Sequence, residues 1–164
     1  MSQHRVLIVD DDLALLQALP ETLRLRMDGV TVDVADSAVA ALGHIVARDY
    51  DAIVTDIKMP GMDGLALLAE IRGRQPDTPT LMITGHGEYD LALRCLRGGA
   101  YDFIQKPIDR DSFVASLYRA IRAHALIRRV KERQSALARC ASELEWIAER
   151  LGHELGPRPV TGEP

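Results

Sequence analysis

The chain has 164 residues, of which 47% are hydrophobic but only 4% aromatic, and its net charge is −4. This length suits one domain with an extension, and the acidic balance gives no reason to expect general nucleic-acid binding. Two widely separated cysteines, Cys95 and Cys140, favour a reducing compartment. No apolar run approaches the ~20 residues of a membrane span, and no signal peptide precedes the first predicted strand, so we expect a cytoplasmic protein with no membrane partner.

The hydrophobic pattern predicts five strands that alternate with five helices. The strands are predicted over residues 6–9, 30–35, 52–55, 80–84 and 101–105. The helices are predicted over residues 13–27, 37–48, 64–74 and 89–97 and from about residue 110 onward. Short apolar strands alternating with helices indicate a parallel sheet covered on both faces, with right-handed crossovers. The fold class is therefore α/β, a flavodoxin-like (βα)5 sheet in the order 2-1-3-4-5.

The first helix contains a proline, Pro20, inside its apolar pattern. An interior proline removes a hydrogen bond and costs about 3 kcal/mol. The sequence therefore predicts either a kink or a later start for this helix.

Acidic residues follow two of the predicted strands. Asp10, Asp11 and Asp12 follow the first, and Asp56 ends the third. Strands one and three are neighbours in the predicted order, and functional groups of such sheets gather at the carboxyl ends of strands. Crowded carboxylates raise one another's pKa unless a cation joins them, and oxygen ligands of this kind suit Mg²⁺. We therefore expect a site at this edge, although the three consecutive acids could also simply cap the first helix.

Further motifs extend this pattern along the chain. The segments TDIKMPGMDG at 55–64, ITGHG at 83–87 and GAYDFIQKP at 99–107 follow the paired acids in order. Residues 4–123 closely resemble the receiver domain of two-component response regulators. The last two segments look most like receivers of the nitrogen-regulation and dicarboxylate-transport subfamily.

The resemblance implies a phosphoacceptor switch rather than a metabolic enzyme. Asp56 would accept a phosphoryl group from the histidine of a sensor kinase. Asp11 would bind Mg²⁺ directly, Asp10 largely through water, and Lys58 through its backbone carbonyl. This fits the chemistry, because phosphoryl transfer needs little beyond positioning and charge neutralisation.

The resemblance also assigns residues on the two later strands. Thr84 would turn its hydroxyl toward the phosphoryl group, and Lys106 would pair with that group. Phe103 matches the switch aromatic residue, although its pattern is equally that of a core residue. Pro107 matches a proline whose preceding peptide bond is often cis in the family.

Two other functions compete with the receiver. Asp10 and Asp12 also resemble the nucleophile and acid/base of haloacid-dehalogenase-like phosphatases. The phosphatase interpretation leaves the TDIKMPGMDG segment unexplained. The sequence also shows no second acidic metal motif after strand four and no obvious cap segment. The second competing function is a constitutive dimerisation module from a larger regulator or hybrid kinase. The evidence against it is that the residues expected for phosphorylation are intact, namely the acidic pair, Asp56, Thr84 and Lys106.

The last helix is predicted to continue as an extension, because neither proline nor glycine occurs from residue 120 to 151. In a heptad frame, the d positions are Val130, Leu137, Leu144 and Leu151. The a positions are Ile127, Gln134, Ala141, Ala148 and Leu155. This pattern predicts a receiver over 1–123, a coiled-coil homodimer through 124–152 and a disordered tail over 153–164.

Several alternatives remain for this extension. We expect parallel pairing, and antiparallel pairing or folding back onto the receiver is the alternative. The basic stretch at 128–133 is interpreted as a solvated face, so direct nucleic-acid binding is not expected. The histidines His4, His44, His86 and His124 are expected at the surface or in loops.

Overall fold

The computed structural model describes residues 3–154 and residue 156, and shows five strands alternating with five helices. The strands are β1 His4–Val9, β2 Val30–Ala35, β3 Ala52–Asp56, β4 Thr80–Thr84 and β5 Asp102–Gln105. The helices are α1 Leu13–Arg26, α2 Ala38–Ala47, α3 Gly64–Arg74, α4 Tyr89–Arg97 and α5 Arg110–Glu154. No helix in this part of the chain combines the length and apolar character needed to cross a bilayer.

The five strands form one sheet in the order β2-β1-β3-β4-β5, and every neighbouring pair is parallel. This confirms the predicted flavodoxin-like (βα)5 fold. The register pairs Val9 of β1 with Thr55 of β3, so the residues that follow β1 lie beside the end of β3. Every residue of β3 and β4 is buried, which explains their continuous apolar sequences.

Apolar clusters fill both sides of the sheet. One cluster joins the sheet to α1 and α5, for example through Leu19 and Phe113. A second joins it to α2 and α3, for example through Ile45 and Ile71. The sheet is thus fixed between two layers of aliphatic side chains, and its carboxyl edge is held in place from both sides.

Helix α1 begins at Leu13, so the later start that Pro20 suggested is wrong. The carboxylate of Asp12 caps the helix by accepting a hydrogen bond from the backbone N–H of Ala14 at 2.9 Å. Pro20 is buried within the helix. The helix tolerates the missing N–H because this cap and the burial of its apolar face stabilise it.

Helix α5 is a single helix of 45 residues, which confirms the predicted uninterrupted extension. The carboxylate of Asp109 accepts a hydrogen bond from the Ser112 N–H at 2.9 Å and caps its first turn. The sequence placed His153 and Glu154 in the disordered tail. In the structure both belong to α5, which continues through Gly152. Leu155 and residues 157–164 of that predicted tail lie outside the described residues.

The chain forms two compact units, and the boundary between them falls between Leu126 and Ile127. This boundary is three residues beyond the one predicted from the sequence.

The expectation that His124 is a surface residue is wrong. His124 is 7% exposed, because it lies one helical turn after the buried Ile121 on the same face of α5. Its Nδ1 lies 3.4 Å from Oδ1 of Asp51, whose Oδ2 accepts a hydrogen bond from the Arg5 N–H at 2.8 Å. Burial raises the pKa of Asp51, but the imidazole of His124 and the Arg5 N–H outweigh burial, so this pKa lies below its usual value.

This carboxylate should make stability depend on pH. Because the pKa of Asp51 is lower in the folded protein than in the unfolded chain, its charge stabilises the fold above the unfolded pKa of about 3.9. That contribution is lost as the pH falls through the folded value. We expect Asp51→Asn to lower the free energy of unfolding at pH 7 by about 1–2 kcal/mol and to have progressively less effect below about pH 4.

Urea unfolding of both proteins at several pH values measures this difference. The control is Asp49→Asn, which removes an exposed carboxylate two residues earlier and should change the free energy of unfolding little at any pH. If the loss in free energy of unfolding caused by Asp51→Asn stayed constant between pH 7 and pH 3, the lowered pKa of Asp51 would be contradicted.

Candidate functional site

Three carboxylates meet at the carboxyl edge of the sheet. Asp10 and Asp11 follow β1, and Asp56 ends the neighbouring strand β3. One oxygen of each carboxylate lies within 4.8 Å of the others. Asp10 and Asp56 are buried and Asp11 is exposed, so the cluster opens to solvent on one side. The structure therefore brings together the three side chains that the sequence predicted as ligands.

Asp10 shows why this cluster suits a cation. Its Oδ1 accepts a hydrogen bond from the Asp12 N–H at 2.8 Å, whereas its buried Oδ2 accepts none. Burial raises the pKa of Asp10, and the charge of Asp56 raises it further, against the opposing effect of the Asp12 N–H. A divalent cation would satisfy the free oxygen and offset the repulsion. An all-oxygen donor set of carboxylates fits Mg²⁺.

Lys106 supplies a positive charge from the end of β5. Its Nζ donates a hydrogen bond to Oδ2 of Asp56 at 3.2 Å and lies 3.8 Å from Oδ2 of Asp10. Burial alone would lower the pKa of Lys106, but Asp10 and Asp56 outweigh it and raise that pKa, so the ammonium group stays charged. Its backbone N–H donates to the Thr84 carbonyl at 2.8 Å, and its peptide bond to Pro107 is cis, as the family resemblance implied.

Thr84 and Phe103 lie on β4 and β5, on the side of β3 away from β1. Thr84 ends β4 with only 2% of its surface exposed. Phe103 is half-buried on β5 and packs against a small cluster that includes Met82 and Cys95. Both side chains line one small cleft together with Glu88. The two predicted switch residues are therefore neighbours, and their role in switching stays a prediction.

Glu88 is a residue that the sequence analysis missed. Its carboxylate accepts a hydrogen bond from the Gly85 N–H at 2.7 Å and forms an ion pair with the exposed side chain of Lys58. Lys58 and the Gly85 N–H hold the pKa of Glu88 below its usual value. An acid before a helix normally suggests a cap, but this side chain makes no capping bond to α4. The Glu88 carboxylate instead pairs with Lys58, two residues after Asp56, and with the N–H of Gly85, the residue after Thr84.

Gly64, the first residue of α3, was also missed as a site residue. A Cβ atom on Gly64 would lie 2.2 Å from the carbonyl oxygen of Asp56 and 2.7 Å from Cα of Ile57. The Gly64 N–H also donates to the Ile57 carbonyl at 2.7 Å. Only glycine allows α3 to begin this close to the backbone of Asp56.

The comparisons with known proteins agree with this geometry. A family model described as the response regulator receiver domain matches residues 6–118. The chain belongs to the response regulator receiver domain family.

Two curated relatives support the predicted subfamily. The chain is 40% identical over 138 residues to the C4-dicarboxylate transport transcriptional regulatory protein DctD of Pseudomonas aeruginosa, covering 84% of this chain and 29% of that protein. It is 36% identical over 121 residues to the DNA-binding transcriptional regulator NtrC of Escherichia coli K12, covering 74% and 25%. The chain thus spans less than a third of the length of either regulator.

Solved structures give the same result. NtrX from Brucella abortus, crystallised with ATP, has a TM-score of 0.74 and 35% identity, with coverage of 79% of this chain and 29% of that one. A receiver domain protein from Clostridium thermocellum has a TM-score of 0.71 and 28% identity, with coverage of 76% and 98%. The resemblance to the NtrC and DctD type of receiver is confirmed.

The close approach of α3 to Asp56 can be tested within one helix. Gly64→Ala should lower the free energy of unfolding by about 1–3 kcal/mol, because the new methyl group must displace the Asp56 backbone. The control is Gly73→Ala in the same helix, where a Cβ meets nothing within 4 Å. It should instead stabilise by about 0.5–1 kcal/mol, because alanine favours helix. Chemical denaturation measures both, and equal effects of the two changes would contradict the close approach.

Proposed function

We propose that this receiver, a cytoplasmic protein, accepts a phosphoryl group on Asp56 from a phosphohistidine of a sensor histidine kinase, in a Mg²⁺-dependent reaction. It then changes its contacts with other proteins. The observation that carries this proposal is the grouping of three carboxylates within 4.8 Å, with Lys106 Nζ 3.2 Å from Asp56. A buried carboxylate beside a fixed cation is a pre-positioned nucleophile.

Phosphoryl transfer requires little from the protein beyond positioning of the reacting groups and neutralisation of charge. A carboxylate oxygen of Asp56 forms a bond to phosphorus as the bond from phosphorus to the kinase imidazole breaks, and the imidazole keeps the electron pair. Lys106 offsets charge on the transferred group. Asp10, Asp11, Asp56 and the Lys58 carbonyl would hold Mg²⁺, which when bound neutralises phosphoryl oxygens. The protein therefore acts as a switch and turns over no metabolite.

The product would change the opposite side of the site. A phosphoryl group brings about two negative charges and three acceptor oxygens. The Thr84 hydroxyl can reach such an oxygen by rotation about χ1, and Phe103 can follow into the space that Thr84 leaves. The same charge repels Glu88 and competes for the Gly85 N–H. These exchanges form a two-state element of the kind that signalling uses.

Substitution of single carboxylates tests this chemistry. Asp56→Asn should abolish labelling by a small phosphodonor with Mg²⁺, because the nucleophile is lost. Asp10→Asn should only weaken labelling, because it removes one contributor to the cation site. Mass spectrometry of the intact protein measures both.

The reverse pattern would favour the phosphatase alternative, in which Asp10 is the nucleophile. The structure gives that alternative little support, because the carboxylate of Asp12, its acid/base, is engaged in capping α1. The labelling experiment thus decides between the two functions with the same pair of variants.

We propose that the output includes homodimerisation through the extension. Val130, Leu137, Leu144 and Leu151 recur every seven residues and are 54%, 70%, 67% and 51% exposed. Large apolar side chains in a row on one helix face typically mark a protein contact. Repeated over about four heptads, they are typical of a coiled coil.

Light scattering on the full chain tests this output. The native protein should have a mass near twice 18.1 kDa, and the dimer equilibrium should shift when Mg²⁺ and beryllofluoride are added. Leu137→Asp with Leu144→Asp should give monomers, because charges in an apolar seam are costly. The control is Ser135→Asp with Ser142→Asp, which adds the same charges off the seam and should leave the dimer intact. If the native protein is a dimer whose mass does not change when beryllofluoride is added, the result would favour the constitutive dimerisation module.

A further inference from the structure

We propose that Glu88 is a positioning residue that holds the receiver in its unphosphorylated conformation, and that a phosphoryl group on Asp56 displaces it. This inference rests on the proposed function and adds a regulatory residue to the same site. Three features of Glu88 carry it: its hydrogen bond to Gly85, its ion pair with Lys58 and its place in the wall of a narrow cleft.

The first feature is a turn that Glu88 closes with two hydrogen bonds. Its carboxylate accepts from the Gly85 N–H at 2.7 Å, and its own N–H donates to the Gly85 carbonyl at 3.4 Å. A Cβ atom on Gly85 would lie 3.1 Å from the carboxyl carbon of Glu88, so the carboxylate covers this backbone closely. Gly85 follows the end of β4, where Ile83 is in register with Asp56 of β3. Glu88 therefore occupies an N–H at the edge of the sheet where the phosphoryl group would form.

The second feature joins this turn to the loop after β3. The carboxylate of Glu88 forms an ion pair with Lys58, and only 15% of the Glu88 side chain is exposed, against 70% for Lys58. Lys58 and the Gly85 N–H hold the pKa of Glu88 below its usual value, and the charge of Lys106 lowers it further. The Glu88 anion is therefore stabilised partly by the same lysine that donates a hydrogen bond to Asp56.

The third feature is steric. Thr84, Glu88 and Phe103 line one cleft between β4, β5 and the start of α4, and this cleft is too narrow to admit a water molecule. Phe103 therefore cannot enter the cleft while the side chains of Thr84 and Glu88 keep their places. Movement of both side chains would open the cleft from two sides, so the position of Glu88 is coupled to that of Phe103.

These contacts make Glu88 an internal competitor of the phosphoryl group. Two anions that lie close together repel each other, and here both would use the Gly85 N–H as a donor. Glu88 occupies that donor while Asp56 is unmodified, and it must release the donor when the phosphoryl group arrives. Loss of the Glu88 charge should therefore favour the switched conformation even before any anion binds, because it destabilises only the unphosphorylated arrangement.

Binding of beryllofluoride tests this competition. Glu88→Gln keeps the size of the side chain and a weaker hydrogen bond but loses the charge. With Mg²⁺ present, this variant should bind beryllofluoride about fivefold more tightly than the native protein. The control is Asp90→Asn, which removes an exposed carboxylate in the first turn of α4 and should change this dissociation constant little. Titration followed by ¹⁹F NMR of bound beryllofluoride measures the constants.

The environment of Phe103 provides a second readout, which a purely structural role of Glu88 would not move in a set direction. The chain has only two phenylalanines, so labelling with 4-fluorophenylalanine gives one signal for Phe103 and one for the fully buried Phe113. Beryllofluoride with Mg²⁺ should move the Phe103 signal and leave the Phe113 signal nearly constant as a reference. In Glu88→Gln the Phe103 signal should lie closer to its bound position before any anion is added, whereas in Asp90→Asn it should not.

The outcomes distinguish this inference from the proposed function. Tighter binding of beryllofluoride by Glu88→Gln, together with the displaced Phe103 signal, supports the competitor. Equal or weaker binding, or an unchanged Phe103 signal, would overturn it and leave the proposed function intact, provided that the native protein binds beryllofluoride. If the native protein does not bind beryllofluoride, or if Asp56→Asn binds it equally well, the proposed function fails and this inference fails with it.

Discussion

The structure depends on how the carboxyl edge of the sheet tolerates buried negative charge. Asp10 and Asp56 are almost completely buried side by side, and Lys106 lies within 4 Å of both. Such burial is costly unless each charge has a partner. One ammonium group cannot offset three carboxylates, so the site retains excess negative charge, and its oxygen donors suit a divalent cation. Burial raises the pKa of Asp10, and the charge of Asp56 raises it further.

This arrangement divides the site into a rigid side and an adjustable side. On the rigid side, Asp10 and Asp56 extend from adjacent strands, and Gly64 brings α3 into close contact with the Asp56 backbone. On the adjustable side, the mostly covered carboxylate of Glu88 forms an ion pair with the exposed side chain of Lys58. A phosphoryl group would therefore meet a fixed nucleophile and a replaceable carboxylate. Change would be directed toward the start of α4.

Strand periodicity made the fold and most of the site predictable from the sequence. Buried parallel strands have continuous apolar sequences, and the residues that follow them must meet at one edge. The positions of Asp10, Asp56 and Lys106 follow from that rule alone, whereas the roles of Thr84 and Phe103 required the family resemblance. The start of α1 was harder to predict, because a cap at Asp12 and burial of the helix face outweighed the cost of Pro20.

The residues that were missed depend on contacts between distant parts of the chain. Gly64 is a normal first residue of a helix until the backbone of Asp56 is placed beside it. Glu88 looks like a helix cap, and only the structure shows its carboxylate bonded to Gly85. His124 looks like an exposed helix residue, but α5 packs it against Asp51. In each case the local pattern is compatible with two environments, and tertiary packing selects one.

The extension presents a different problem, because in the proposed homodimer its environment would be set by a second molecule. Its d positions are strongly apolar, but Gln134, Ala141 and Ala148 keep the seam weak, so association should respond to modest changes in free energy. A shift of about 1.4 kcal/mol changes the dissociation constant tenfold. A dimer near its midpoint at cellular concentration would convert such a shift into a large change in assembly, whereas a strong seam would stay assembled in either state. The weak a positions are therefore consistent with a switch and less so with a permanent dimer.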